Sequence, residues 1–182
     1  MNNMAEKFRF GIIGAGVISA YHAQAIKAHP DGQIVAVADV FKPALDKFTA
    51  EYGGEGMTDL EAMLRRPDID AVCVCSPTFL QAQHAIAAMK AGKHAIVEKS
   101  MAINLKDATE MIRTGRDRGV KLAVIFQKRT EEAPQRIKKA IADGVFGKMV
   151  FGDASIKYWR NQAYYDSADW RGTWAKEGGG AS

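Results

Sequence analysis

The stretch Phe10-Gly11-Ile12-Ile13-Gly14-Ala15-Gly16-Val17-Ile18-Ser19 has the form of a buried strand, a tight glycine turn and the start of a helix. Its spacing is that of a dinucleotide-binding loop, G-x-G-x-x-G, with serine in the third glycine position. Gly14 allows the tight turn, and Gly16 has no side chain, so a pyrophosphate can approach the backbone. A helix that begins at Val17 and Ile18 would direct free N–H groups and its positive dipole end at that pyrophosphate.

The sequence on either side of this loop alternates between short apolar runs and helical patterns. The apolar runs are Phe8–Ile13, Ile34–Ala38, Ala71–Cys75, His94–Val97 and Leu122–Phe126. Such alternation predicts an α/β fold, a doubly wound parallel sheet with helices on both faces. We therefore predict a Rossmann domain that binds NAD or NADP over residues 1–126. In its last helix, which Asn104 would cap, the residues predicted to face inward are Leu105, Ala108, Ile112 and Gly115.

The pattern changes after residue 126. The run Lys148–Trp159 alternates between polar and apolar residues, which predicts an antiparallel strand. Because one strand does not make a stable sheet, we expect the unit that begins at residue 127 to be incomplete.

Composition excludes several other classes of protein. The net charge is only +4 and the basic residues are interleaved with acidic ones, so no nucleic-acid partner is predicted. The polar N-terminus has no signal-peptide core, and no apolar run approaches the ~20 residues of a membrane helix. Cys73 and Cys75 lie in one apolar run, and we predict that they are buried thiols in a reducing cytoplasm. The four histidines lack metal-ligand spacing, so no metal site is predicted.

Asp39 is the candidate that selects the cofactor. It ends the second apolar run, where an acidic residue binds the ribose hydroxyls of NAD. A helix cap or a turn is the alternative role. The carboxylate would repel a 2′-phosphate, and the nearby Lys42 would soften that repulsion, so NAD is favoured and NADP stays possible.

Two further segments follow strands at the same predicted edge. Ser76-Pro77-Thr78 lies where open α/β sheets bind ligands, although a plain strand-to-helix turn also explains it, and His84 falls in the helix that follows. Glu98-Lys99 follows a buried strand directly. A lysine there can orient a substrate hydroxyl or move a proton. The alternative is an exposed Glu–Lys pair of little energetic value.

Taken together, these segments resemble the Gfo/Idh/MocA family of oxidoreductases, named for glucose–fructose oxidoreductase, inositol dehydrogenase and a rhizopine catabolism protein. The matching residues are Gly11–Gly16, Asp39, Cys75–Thr78 with His84, Ala91–Lys99, Gly147-Lys148, Trp170-Arg171 and Gly178–Ala181. They run along the whole chain in order. The resemblance implies hydride transfer between a nicotinamide cofactor and a sugar, a polyol or a similar carbinol. It also implies that residues 127–182 begin an α+β substrate and oligomerisation domain with an antiparallel sheet. For the full-length form it implies a homo-oligomer.

The resemblance also implies roles for individual residues. Lys99 would lie beside the nicotinamide and the substrate, as the catalytic residue of this half of the site. Gln127, with Arg129 as a looser match, would lie at the substrate cleft. The implied cofactor contacts are Gly14, Gly16, Val17, Ile18, Asp39, Lys42, Ser76, Pro77, Thr78, His84, Glu98, Lys99 and Gln127.

The sequence departs from the family pattern in three places. Ser19 replaces a glycine or alanine, and its small size should preserve helix packing. Ser100 replaces the hallmark proline; because a cis bond before a non-proline residue costs about 3 kcal/mol, we expect a trans bond, or a strained one that serves function. The family's catalytic Asp and His follow the Gly-Gly-Gly-Ala run, and this sequence stops at Ser182. A non-catalytic dinucleotide-binding module is therefore the alternative to a dehydrogenase.

Overall fold

A computed structural model describes residues 7–178. Its central feature in that range is one parallel sheet of six strands. The strands are β1 (Phe8–Ile13), β2 (Gly32–Ala38), β3 (Glu55–Met57), β4 (Ala71–Val74), β5 (His94–Glu98) and β6 (Leu122–Ile125). The helices between them are α1 (Val17–Ala28), α2 (Lys42–Tyr52), α3 (Leu60–Leu64), α4 (Thr78–Lys90) and α5 (Leu105–Arg118). The predicted doubly wound α/β architecture is confirmed.

The strand order is β3-β2-β1-β4-β5-β6. The chain therefore builds outward from β1 in one direction and from β4 in the other. Ligands of open α/β sheets bind at the carboxyl edge beside such a switch point. Here that edge carries the turns that follow β1, β2, β4 and β5.

The core lies on both faces of the sheet, which explains why the central strands are nearly all apolar. The residues of β4 from Ala71 to Val74 are all buried. One cluster packs β4 and β5 against α4 and α5, with Met89 and Met111 fully buried. The other packs Ile12 and Val37 against α1 and α2.

Two details of this unit differ from the sequence-based prediction. The strand β3 has no counterpart among the predicted apolar runs; its three residues pair with the edge of β2 through the backbone. In α5 the predicted inward face is wrong in part, because Leu105 is 86% exposed and Ile112 is also exposed. Met111, Thr114 and the predicted Gly115 are buried instead, and Gly115 lies against Met89 of α4.

The described chain divides into two compact units. The first holds the sheet and comprises residues 7–125 together with residues 172–178. In its last part α8 (Trp174–Glu177) packs on α4, with Nζ of Lys176 lying 5.6 Å from the ring centroid of Phe79. The chain first leaves this unit after Ile125, and the predicted domain boundary after residue 126 stays a prediction. The assignment of residues 127–182 to a substrate domain stays a prediction.

The second unit spans Phe126–Arg171. It contains a 3-10 helix (Gln127–Thr130), α6 (Glu132–Ala142) and α7 (Gln162–Asp166). The predicted strand over Lys148–Trp159 is wrong: this run has no regular secondary structure. The alternating pattern meets no strand with which it could pair among the described residues, and a strand requires a partner for its backbone N–H and C=O groups.

Candidate functional site

The glycine turn after β1 is fixed by its neighbours on both sides. Gly14 has a φ of +97°, and its N–H donates to the carbonyl of Ala38 at 2.8 Å. A Cβ on Gly14 would lie 2.9 Å from the carbonyl oxygen of Cys75, which is closer than a real Cβ can come. Glycine is therefore required here both by the left-handed backbone and by the close approach of the end of β4.

The N-terminus of α1 is open. Gly16 is the N-cap residue and no side chain caps the helix. A Cβ on Gly16 would meet nothing within 4 Å, and Val17, the first helical residue, is 79% exposed. Ile18 is also exposed. The first N–H groups of the helix thus border free space, which is the arrangement that binds phosphate groups.

The structure accommodates a serine, Ser19, in the third glycine position of the loop. It is fully buried, and its Oγ donates to the carbonyl of Gly16 at 2.6 Å. The hydroxyl is therefore satisfied within the first turn, and the helix keeps its close packing on the sheet.

The carboxylate of Asp39 connects the glycine turn to the turn after β2. One oxygen accepts from the N–H of Ala15 at 2.7 Å, and the other accepts from the N–H of Phe41 at 2.8 Å. Each carboxylate oxygen can accept a further hydrogen bond, so ribose hydroxyls are still accommodated. Lys42 does not bond to this group; its ammonium binds both carboxylate oxygens of Asp46, at 2.8 and 2.9 Å.

The turn after β4 brings Ser76 and His84 together. Oγ of Ser76 lies 2.9 Å from Nδ1 of His84, and the Ser76 carbonyl accepts from Nε2 of Gln81 at 3.3 Å. Burial lowers the pKa of His84 below its ordinary value, so the imidazole is neutral at pH 7. Pro77 forms the N-cap of α4 and Thr78, its first residue, is buried. These residues hold the turn; their contacts with a cofactor stay a prediction.

Glu98 and Lys99 differ sharply in environment. The Glu98 side chain is 10% exposed, and its Oε1 lies 2.8 Å from Nε2 of His22 on α1. Lys99 is exposed at the carboxyl end of β5. The Lys99–Ser100 peptide bond is cis, so the expectation of a trans bond is wrong. The Glu98-Lys99 segment is thus one anchored side chain followed by one free to reach a ligand, rather than an exposed pair.

Gln127 belongs to the second unit. It begins the 3-10 helix and is exposed, and its carbonyl accepts from Oγ1 of Thr130 at 2.7 Å. Arg129 lies over the ring of Phe126, with Cζ 5.4 Å from the centroid. The predicted cofactor role of Gln127 stays a prediction.

The two cysteines are free thiols buried in the sheet. Burial raises the pKa of Cys73 to about 12, and it raises that of Cys75 well above the ordinary value, with a smaller contribution from the charge of Glu98. Neither thiol is therefore ionised at neutral pH, and neither acts as a nucleophile.

Within residues 7–178 no three His, Cys, Asp or Glu side chains are grouped as metal ligands. None of the helices in that range has the length and apolar character needed to cross a bilayer.

The residues at this edge fit a dinucleotide. The space over Gly16 and the open N-terminus of α1 suit a pyrophosphate, and Asp39 supplies acceptors for ribose hydroxyls. The spacing pattern predicted both features, and their contacts with a cofactor stay a prediction. It missed the bond of Ala15 to Asp39 and the partnership of His22 with Glu98, because these contacts link turns and elements that no local motif connects.

The chain is similar to known proteins over most of its length. Residues 8–126 match the family model for Gfo/Idh/MocA proteins, described as an oxidoreductase family with an NAD-binding Rossmann fold. Inositol 2-dehydrogenase of Rhizobium meliloti is 35% identical over 141 residues, covering 78% of this chain and 42% of that protein. This chain thus spans less than half the length of that relative.

Two solved structures resemble the fold. The WlbA dehydrogenase of Bordetella pertussis, crystallised with NADH and UDP-GlcNAcA, is 35% identical with a TM-score of 0.87, over 94% of this chain and 53% of that one. The apo scyllo-inositol dehydrogenase of Lactobacillus casei is 26% identical with a TM-score of 0.73, over 78% of this chain and 43% of that one. With the family match over residues 8–126, these findings show that the chain belongs to the Gfo/Idh/MocA family of oxidoreductases, whose Rossmann fold binds NAD.

Proposed function

We propose that this protein is an NAD-dependent dehydrogenase that acts on a CH–OH group of a sugar, a polyol or a similar carbinol. The observation that carries the proposal is the common edge of the sheet: the open helix terminus at Gly16, the carboxylate of Asp39 and the ammonium of Lys99 all follow strands there. A phosphate site, a ribose site and a proton-handling group are what such a reaction requires. The non-catalytic alternative is not favoured, because the relatives are named dehydrogenases and reductases.

Each residue has a defined part in this proposal. The N–H groups at Val17 and Ile18 bind the pyrophosphate, with no side chain on Gly16 to obstruct it. Asp39 accepts from ribose hydroxyls and disfavours a 2′-phosphate, because the Lys42 ammonium is bound to Asp46. NAD is therefore the proposed cofactor rather than NADP. When bound, the nicotinamide supplies the acceptor or donor of hydride.

Lys99 is the proposed catalytic residue of this part of the chain. Its exposed ammonium follows the buried end of β5, so it can donate a hydrogen bond to the substrate hydroxyl and hold that oxygen in place. The hydroxyl proton would pass to the catalytic histidine that the family resemblance implies. Ser76, Pro77, Thr78 and His84 shape the neighbouring turn and are proposed to contact the cofactor. Gln127 is proposed as a cofactor contact on the basis of the family resemblance alone.

The test is turnover by the full-length protein. NAD⁺ would be supplied with myo-inositol, glucose or UDP-GlcNAcA, and formation of the reduced nicotinamide followed by absorbance. Lys99→Ala should lower kcat by about 10²–10⁴-fold. Lys90→Ala, at the far end of α4, is the matched control. Near-normal turnover by the Lys99 variant would reject its catalytic role.

A nucleotide-activated sugar is a more specific candidate for the substrate. The match to the WlbA structure, whose crystals hold UDP-GlcNAcA, takes in 94% of this chain, whereas the match to the scyllo-inositol dehydrogenase takes in 78%. The longer match favours a sugar that carries a nucleotide over a free polyol. Turnover of myo-inositol without turnover of UDP-GlcNAcA would decide against it.

The proposal includes a cytoplasmic homo-oligomer. The buried free thiols are consistent with a reducing compartment. Several large apolar side chains in residues 126–171 are strongly exposed, among them Val150, Phe151 and Trp159, and such surface is typical of subunit contacts. Light scattering of the full-length protein would test the association, and a monomer at all concentrations would contradict it.

A further inference from the structure

The contact between His22 and Glu98 joins two elements with different tasks. His22 lies on α1, the helix whose N-terminus follows the glycine turn, and Glu98 is the last residue of β5, directly before Lys99. Nε2 of His22 lies 2.8 Å from Oε1 of Glu98. The two side chains are only 11% and 10% exposed, and 76 residues of sequence separate them. The contact therefore links the pyrophosphate end of the site to the lysine end.

The surroundings of Glu98 make His22 its principal partner. Cys73 and Cys75 lie near enough for the Glu98 charge to contribute to their raised pKa values, and both thiols are neutral. Within the part of the chain that the structure describes, His22 is the group seen to hydrogen-bond the carboxylate. A buried carboxylate that loses such a partner is strongly disfavoured, so the contact is maintained while the protein is folded.

The place of Lys99 is set through the backbone that follows β5. Its side chain is exposed, and no hydrogen bond or ion pair fixes its ammonium among residues 7–178. What remains to set its position is the backbone at the end of β5, where Glu98 pairs with Ile125 of β6 and its side chain is bonded to α1. A hydrogen bond is directional, so this link restrains the end of the strand more closely than an apolar contact would.

Resting on the proposed function, we propose that His22 is a positioning residue. Its hydrogen bond to Glu98 sets the spacing between the N-terminus of α1, which binds the pyrophosphate, and Lys99, which meets the nicotinamide end. One dinucleotide must satisfy both ends at once. A shift of about 1 Å at a reacting group can cost on the order of 10²-fold, so this spacing has to be held.

The test compares two ligands and one chemical probe in the full-length protein. ADP-ribose contains the pyrophosphate but no nicotinamide, whereas NADH contains both. Affinity for each would be measured, and acylation of Lys99 by acetic anhydride would be followed by mass spectrometry with either ligand bound. In the wild type, NADH should slow acylation of Lys99 more than ADP-ribose does.

His22→Ala should bind ADP-ribose as the wild type does, bind NADH about tenfold more weakly and lose the extra protection of Lys99. His22→Gln, which keeps a side-chain N–H donor, should restore most of both properties. If His22→Ala fails to fold, the double variant His22→Leu with Glu98→Met removes the bond without leaving a buried carboxylate unpaired, and it should show the same loss.

Two results would overturn the positioning role of His22, and a third would refute the proposed function. An unchanged ratio of NADH to ADP-ribose affinity with protection of Lys99 retained would overturn the proposal. Equal weakening of both ligands would also overturn it, since it would indicate a general structural role. Failure of the wild type to bind NADH would instead refute the proposed function, and the positioning role would fall with it.

Discussion

The carboxylate of Asp39 accepts the N–H of Ala15, with 2.7 Å between Oδ2 and the nitrogen. The residue at the end of β2 therefore holds the middle of the glycine turn after β1. Its other oxygen accepts the N–H of Phe41 at 2.8 Å, so both oxygens face backbone donors. Asp39 thus shapes the glycine turn, and its role as an acceptor for a ribose stays a prediction.

Asp39→Asn should weaken NADH binding about tenfold, because a hydrogen bond to a charged group contributes about 1.5–3 kcal/mol and an amide has only one acceptor oxygen for two N–H donors. The preference for NADH over NADPH should also shrink, since the negative charge is lost. Fluorescence titration with each cofactor would measure both effects. Asp117→Asn, on the exposed face of α5, is the control. Wild-type affinity in the Asp39 variant would contradict the assignment.

The two loop glycines should respond in opposite ways to alanine. Gly14→Ala places a Cβ 2.9 Å from the Cys75 carbonyl oxygen at a φ of +97°, so it should destabilise the fold by on the order of 1–3 kcal/mol. Gly16→Ala, with a φ of −87° and open space around it, should leave stability unchanged or slightly higher and weaken NADH binding.

Urea unfolding and NADH titration of the two loop variants would check this contrast. Each variant serves as the control for the other. Equal loss of stability in both would show that the space above Gly16 is not reserved for a ligand.

Cys73 and Cys75 should resist modification in the folded protein. The pKa of Cys73 is raised to about 12 by burial, and both side chains are buried, so the reactive thiolate is scarce and inaccessible. Reaction with a colorimetric disulfide reagent should be slow in buffer and fast in denaturant. The chain has two cysteines, so the signal reports on these alone. Rapid reaction of the native protein would indicate that β4 opens readily.

Acid should destabilise the fold through two Asp–Arg pairs. The hydrogen bond from Arg66 lowers the pKa of Asp68 from 3.8 to about 2, and the hydrogen bonds from Arg9 lower that of Asp70. Both groups release their protons more easily in the folded state. Their contribution to the free energy of unfolding is therefore complete above pH 3.8 and is lost as the pH falls through about 2.

Urea unfolding at successive pH values would measure this loss. Because the Asp68 side chain is 40% exposed, solvent screens its pair and the loss should stay below about 1 kcal/mol. Asp68→Asn should flatten the acid limb of the stability curve, while the exposed Asp31→Asn should leave it unchanged. If the free energy of unfolding of Asp68→Asn falls with acid as steeply as that of the wild type, the Asp68–Arg66 pair is not the cause of the loss.

Much of the first unit was predictable from sequence because its central strands are covered on both faces. Runs such as Ala71–Val74 are apolar throughout, so the sequence alone identifies them as buried strands. The strand β3 is different: Glu55-Gly56-Met57 has no apolar pattern, and the free edge of β2 determines its pairing. The strand predicted over Lys148–Trp159 was wrong for the opposite reason. The alternating pattern is present there, but the pattern alone supplies no neighbouring strand to pair with.

Some residues of the candidate site could likewise be predicted from sequence, and others could not. Gly16 and Asp39 could be predicted as cofactor contacts because a dinucleotide requires a fixed spacing on one continuous βαβ segment, and these contacts stay a prediction. The bond between His22 and Glu98 spans 76 residues and arises only when α1 packs near the end of β5. No local pattern contains that information, so tertiary structure was needed to assign either residue.

The return of residues 172–178 to the first unit makes the order of synthesis matter. On a ribosome, the sheet and the phosphate loop can form once β6 has emerged, but α4 waits for α8 until residues 126–171 have also been made. During that interval Phe79 lacks the Lys176 side chain that lies over its ring in the finished structure. A nascent chain would therefore hold a formed nucleotide loop beside an incompletely covered helix.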